Sequence, residues 1–181
     1  MTVKDLSLEG LKLISNTQHY DYRGYFHVTH NSEEFKDKVG DYNFVQENES
    51  MSHEGVLRGL HYQYGKYSQA KLVRVIQGSV VDVVVDIRVT SPTFGKHLMV
   101  ELDDVDKCQL MIPRGFAHGF LTLENNTIFS YKVDNVYNPS YESGIIFSDF
   151  SLGIDWNRYN TRNLITSMKD LELPKFSDLI F

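Results

Sequence analysis

Residues 71–88 read KLVRVIQGSVVDVVVDIR, two β-branched stretches broken only by Gln77-Gly78. Branched side chains are stiff at χ1 and suit a pleated, half-buried surface rather than a helix. A polar residue followed by Gly suits a tight hairpin turn, so the segment predicts two paired strands. In the second stretch Asp82 and Asp86 share a face with Val84, while Val81, Val83, Val85 and Ile87 share the other. A strand with one polar-lined face and one apolar face belongs in the wall of a sandwich or barrel.

Further strand candidates are Tyr25–His30, Val56–Gln63, His97–Leu102, Gln109–Ile112, His118–Leu123 and Thr127–Val133, separated by Gly, Pro, Asn or Asp. Recurrence about every 8–12 residues is an all-β pattern. Helix evidence is confined to Asn31–Val39, where Ser32 is the expected cap and Glu33 and Glu34 suit the first turn. From about Asn138 the chain turns irregular, with Pro139, Gly144, Gly153 and Pro174, and reads as a tail packed over the barrel with room for one short helix. With no repeat, low-complexity linker or shift in composition, residues 1–181 read as one domain.

The net charge of −6, with no cluster of lysines or arginines, argues against a nucleic-acid surface. It leaves room for a small anionic ligand, because a few arginines focused in a cleft overcome the global sign. No apolar run approaches the ~20 residues of a membrane helix, and MTVKDLSLEGLKL lacks the layout of a secretory signal. With a single cysteine, Cys108, there is no disulfide framework, and a cytoplasmic location is expected. Cys108 lies in an apolar strand-like setting and reads as inert.

Polar groups interrupt the strand patterns at Arg58-Gly59-Leu60-His61-Tyr62-Gln63, at Pro113 to Phe120 around His118, and at Ser130-Tyr131-Lys132, while Lys71 opens the hairpin. Arg58 and His61 would face opposite sides of an ideal strand, and a bulge at Gly59 would bring them together. Taken singly, a strand histidine is more often a hydrogen-bonded core or surface residue than a catalyst, and Tyr131 or Lys71 reads as packing or a solvated strand end. Seven histidines are present, but none forms His-x-His or His-Glu-x-x-His. A metal site on His53, His61 and His118 is therefore the weaker alternative, and no metal is expected.

These segments closely resemble the dTDP-4-dehydrorhamnose 3,5-epimerase family. The resemblance runs in order through DYRGYF (21–26), FVQENES (44–50), GVLRGLHYQ (55–63), KLVRV (71–75) and VDIR (85–88). It continues through SPTFG (91–95), QLMIP (109–113), GFAHGF (115–120), Tyr131-Lys132, LGIDW (152–156) and SMKD (167–170). It implies a cupin-type jelly roll, a homodimer, no cofactor, and a nucleoside-diphosphate 4-keto sugar inverted at carbon 3 and often carbon 5. A ketone acidifies the hydrogens on its neighbouring carbons, so inversion needs a base on one ring face, an acid on the other and a donor for the enolate oxygen. By the same resemblance His61 is the base, Asp170 its partner, Tyr131 the acid and Lys71 the donor to the C4 oxygen. Arg23, Gln46, Asn48, Arg58, His118, Glu142 and Lys169 match substrate contacts, with structural ion pairing the alternative for Glu142 and Lys169.

One position departs from the family. Five residues after Arg23, where the family usually carries a glutamate, stands Val28. The missing carboxylate predicts a base other than thymine, with a guanine nucleotide carrying a modified hexose or heptose as the leading substitute. The competing functions are a dTDP-4-keto-6-deoxyhexose epimerase, a nucleotide-sugar ketoisomerase and a non-catalytic sugar-nucleotide-binding cupin; retention of both His61 and Tyr131 favours epimerisation over the last two.

Overall fold

The computed structural model describes residues 1–159 and 163–179. Its strands are β1 (Thr2–Asp5), β2 (Lys12–Ser15), β3 (His19–Asp21), β4 (Gly24–Phe26) and, after helix α1 (Ser32–Lys38), β5 (Gln46–Ser52) and β6 (Leu57–Gln63). The hairpin expected from residues 71–88 is β7 (Lys71–Gln77) and β8 (Ser79–Asp86). Then come β9 (His97–Asp103), β10 (Gln109–Ile112), β11 (Phe116–Thr122), β12 (Thr127–Val133), β13 (Glu142–Gly144) and a one-turn helix α2 (Met168–Leu171). One antiparallel sheet has the order β1-β2-β10-β7-β12-β5, a second β13-β6-β11-β8-β9, and β3-β4 form a separate hairpin. The two larger sheets face each other as an all-β jelly-roll sandwich.

Period-2 alternation assigns each residue to one of three layers. Between the sheets lie Val73 and Val75 of β7, Leu110 and Ile112 of β10 and Phe129 of β12, against Val80 and Val84 of β8 and Phe116 and Phe120 of β11. The opposite face of β8, Val81, Val83 and Val85, is covered by Ile145, Leu152 and Trp156 of the C-terminal tail. Outside the first sheet, Ile14, Leu72 and Met111 bury Phe35 of α1. Both faces of β8 are therefore buried, and the face carrying Asp82 and Asp86 points between the sheets, where both carboxylates are fully enclosed.

Two local expectations are corrected. The cap of α1 is Asn31, whose Oδ1 accepts the Glu34 N–H at 3.0 Å; Ser32 is already the first helical residue. The strand expected over Tyr25–His30 stops at Phe26, which already lies opposite His19, the first residue of β3; among the described residues β3 and β4 pair only with each other. Beyond it the Thr29 carbonyl accepts from the Gln109 amide at 2.6 Å instead.

Candidate active site

A cavity of about 720 Å³ opens at one end of the sandwich and takes side chains from both sheets. β6 and β11 meet across it with a bulge. His61 is opposite His118, yet Arg58 is opposite Phe120, so Gly59 and Leu60 of β6 stand against Gly119 alone on β11. Gly59 makes this possible at φ +121°; a Cβ there would stand 2.6 Å from the Gly119 Cα, and one on Gly119 would stand 2.5 Å from the Arg58 carbonyl. The bulge turns Arg58 and His61, on paper on opposite faces, toward the same cavity.

His61 Nε2 donates to Asp170 Oδ1 at 2.7 Å. Asp170 is buried, its Oδ2 accepts the Gly59 N–H at 3.3 Å, and its own N–H is capped by Ser167 Oγ at 3.1 Å. The carboxylate thus fixes the proton on Nε2 and leaves Nδ1 as the free, basic nitrogen. Tyr131 reaches the cavity from β12, on the facing sheet. Burial pushes its phenol pKa up and the Glu142 charge adds to this, while Arg58 and the Asn48 amide across the ladder oppose it; the net rise keeps it protonated.

Lys71 enters from β7 and donates to the His61 carbonyl at 3.3 Å and to His118 Nδ1 at 3.5 Å. Burial lowers its pKa to about 8, with Asp82 and Glu142 pulling the other way, so it remains an ammonium at neutral pH. His118 Nε2 donates to Asp82 Oδ2 at 2.8 Å, and burial lowers the histidine's pKa so that the ring is neutral.

The remaining expected residues divide. Gln46 and Asn48 of β5 line the cavity, bonded to each other at 2.7 Å, and Arg58 lines it with its Nε on Ser52 Oγ at 3.2 Å. Glu142 and Lys169 stand together as an ion pair of 2.5 Å. Tyr137, which the sequence did not single out, joins them through its hydroxyl, at 2.9 Å from Glu142 Oε2. Burial pushes the Glu142 carboxyl up, but these two donors outweigh it and hold it below the usual range, hence anionic. Arg23 is not brought into the cavity of its own chain: it sits exposed in the turn of the β3–β4 hairpin, paired with Asp21 at 2.5 Å. His53 does not line the cavity, and among the described residues no group of three His, Cys, Asp or Glu side chains could hold a metal ion. No helix among them is long and apolar enough to cross a membrane.

The family model of dTDP-4-dehydrorhamnose 3,5-epimerase matches residues 5–178. A dTDP-4-dehydrorhamnose 3,5-epimerase of Methanothermobacter thermautotrophicus is 47% identical over 164 residues, 91% of this chain and 88% of that protein. Among solved structures, the dTDP-6-deoxy-D-glucose-3,5-epimerase of Legionella pneumophila, in complex with dTDP-4-keto-L-rhamnose, superposes with a TM-score of 0.94 at 38% identity. That match covers 99% of this chain and 94% of the other. A 3'-monoepimerase of Streptomyces bikiniensis in complex with dTDP-quinovose superposes at 0.89 with 33% identity, over 95% and 86% of the two chains. These relatives overturn the expectation of a guanine nucleotide, since they are named for, or hold, dTDP sugars. The physical reason is position: Val28 is half exposed, beyond the β3–β4 hairpin and outside the cavity lining, so the missing carboxylate does not alter the pocket of its own chain.

Proposed function

The chain belongs to the dTDP-4-dehydrorhamnose 3,5-epimerase family and is a sugar-nucleotide epimerase, and we propose that it inverts carbons 3 and 5 of a dTDP-linked 4-keto-6-deoxyhexose for glycan assembly. One observation carries this reading: a histidine with its Nδ1 free and a protonated tyrosine enter one cavity from opposite sheets, with a lysine ammonium beside them. His61 Nδ1 takes the proton from the carbon next to the ketone, and the electron pair moves onto the C4 oxygen, where Lys71 donates to it. Tyr131 then delivers a proton to the opposite ring face, and solvent restores both groups. A positioned acid or base contributes ~10²–10⁴ in rate and an oxyanion donor ~10²–10³. Arg58, Lys169, Gln46 and Asn48 hold the nucleotide and sugar, guanidinium being suited to diphosphate oxygens.

The protein acts as a homodimer in this reading. The β3–β4 hairpin exposes Tyr20, Tyr22, Tyr25 and Phe26 beside Arg23, an aromatic surface that a second copy would cover, and covering it is the way for Arg23 to serve a substrate.

The test is incubation with a dTDP-4-keto-6-deoxyhexose in deuterated water, followed by NMR. Deuterium at carbons 3 and 5 with inverted product is expected. Deuterium at carbon 3 alone would place the chain with the monoepimerase, a moved carbonyl would make it a ketoisomerase, and no deuterium would refute epimerisation.

A further inference from the structure

Of the two enclosed carboxylates of β8, Asp86 is paired with Arg88, and Asp82 has no part in the mechanism so far. Asp82 sits on β8 between the sheets, fully enclosed, in a strand that carries five valines. An unpaired carboxylate is costly in such surroundings, and its position is informative for that reason. Its Oδ2 meets His118 Nε2 at 2.8 Å, while its Oδ1 has no hydrogen-bond partner. On the other side of the imidazole, His118 Nδ1 lies 3.5 Å from Lys71 Nζ. Asp82, His118 and Lys71 thus form a line from the core to the floor of the cavity.

The line has one consistent proton arrangement. A carboxylate accepts and never donates, so Nε2 of the neutral His118 carries the proton. Nδ1 is then a bare lone pair, able to accept from an ammonium. Lys71 has three N–H bonds: one goes to the His61 carbonyl, one to His118 Nδ1, and the third remains for whatever occupies the cavity. In the other tautomer Nδ1–H would point at the ammonium, two donors facing each other, and Lys71 would have to turn away or lose its proton.

We propose that Asp82 is the positioning residue of Lys71: by fixing the proton of His118 on Nε2 it anchors the ammonium and aims its remaining N–H at the keto oxygen of the substrate. The inference rests on the reading that Lys71 serves that oxygen. It makes His118 part of the scaffold of the oxyanion donor, both ring nitrogens being engaged within the protein. The titratable and charged groups around Lys71 are Asp82 on β8, Glu142 on β13, His118 on β11 and His61 and Arg58 on β6. Tyr131 on β12, Glu49 on β5, Tyr62 on β6, Tyr137 before β13, and Lys169 and Asp170 on α2 also line the cavity, while Asp82 acts on Lys71 from behind it. Of these, Asp82 and Glu142 hold the lysine's proton in place against burial.

Two measurements test the proposal. In the wild-type protein with 15N-labelled histidine, long-range 1H–15N spectra at pH 7 should show His118 as the neutral Nε2–H tautomer, its signals identified by their loss in His118→Asn. An Nδ1–H tautomer or an imidazolium overturns the proposal, and this readout needs no active enzyme. In Asp82→Asn the alkaline limb of kcat, expected near pH 8 from Lys71, should move down by about one pH unit or more, with KM little changed, because an opposing charge has been removed. Adding Lys71→Arg, which does not titrate in this range, should abolish the moved limb. A limb that stays near pH 8 in folded Asp82→Asn overturns the proposal, and should that variant fail to fold, the wild-type tautomer decides. Failure of the functional reading looks different: no exchange into any 4-keto sugar nucleotide, whatever the tautomer of His118.

Discussion

Replacing Lys71 by Met should make the protein more stable and nearly inactive. A lysine whose pKa falls from 10.5 to about 8 on folding carries a cost for being charged in the fold. At about 1.36 kcal/mol per pH unit this comes to about 3 kcal/mol, a ceiling because part of the side chain is reached by solvent through the cavity. Met has similar length and no charge; against the gain stand the donors lost to the His61 carbonyl and His118 Nδ1, which water in the cavity can replace. The net expectation is about 1–3 kcal/mol of added stability at pH 7. The pH dependence supplies the control. Below pH 8 the lysine is protonated in both the folded and the unfolded chain, and the full cost is present. Between pH 8 and 10.5 the folded chain gives up the proton first, so wild-type stability rises relative to the variant and the gap closes. Activity moves the other way: loss of a buried oxyanion donor should lower kcat by ~10²–10³. Urea unfolding at pH 7 and pH 10, with deuterium exchange at pH 7, measures both. A variant no more stable than wild type at pH 7, or a gap of the same size at pH 10, would refute the reasoning.

Other outcomes follow from the same geometry. His61→Ala should abolish solvent-deuterium exchange, and Asp170→Asn should cut it by ~10²–10⁴ while substrate affinity holds; retained exchange in His61→Ala would mean that another group is the base. Tyr131→Phe should slow inversion more than exchange, since proton removal survives loss of the acid, and equal loss of both, read in one NMR time course, would count against that division. Burial raises the Asp86 carboxyl, but bonds from Arg88, Ser91 and Thr93 outweigh it and set its pKa at about 2. Asp86→Asn should therefore cost about 2 kcal/mol at neutral pH, and the wild-type advantage should vanish in urea melts as pH falls from about 4 toward 2.

What could be read from the sequence was whatever had a one-sided environment. The β7–β8 hairpin was legible because branched residues on both sides of Gln77-Gly78 favour strand over helix, and the Gly59 bulge was legible because Arg58 and His61 needed it. β5 was not: Gln46, Asn48 and Ser50 face a polar cavity while Glu47 and Met51 are exposed, so this edge strand shows no hydrophobic alternation. The short strands β1, β2 and β13 carry too few residues for a period to emerge. In the site, residue types suggested candidates, but their roles came from the family resemblance, and two members went unread. Tyr137 looked like one tyrosine among eleven, and it acquires meaning only beside Glu142. Asp82 did carry a signal, a carboxylate on the inward face of a valine strand, and only its distance to His118 says what it does. Val28 misleads for the opposite reason: the substitution is plain in the sequence, but its place outside the cavity lining is not.

The chemistry also explains why the site uses two sheets. A base and an acid that must address opposite faces of one ring cannot stand on the same face of one sheet, where all inward side chains point the same way. Here His61 and His118 come from the β13-β6-β11-β8-β9 sheet and Lys71 and Tyr131 from its partner, so the gap between the sheets is the substrate slot. The inward positions continue directly into core: Lys71 precedes Val73 and Val75, Tyr131 follows Phe129, and His118 lies between Phe116 and Phe120. The core that fixes the strands also sets the reacting groups in an environment of low polarity, where a single ammonium bears strongly on an enolate. Register is consequently a catalytic parameter. Tyr131 lies opposite Val73 on one side and Asn48 on the other; a slip of β12 by one residue would send the phenol to the outer face and bring Ser130 or Lys132 inward. The same slip would turn Phe129 out of the core, so the packing energy that holds the sandwich together is also what keeps the acid aimed at the ring.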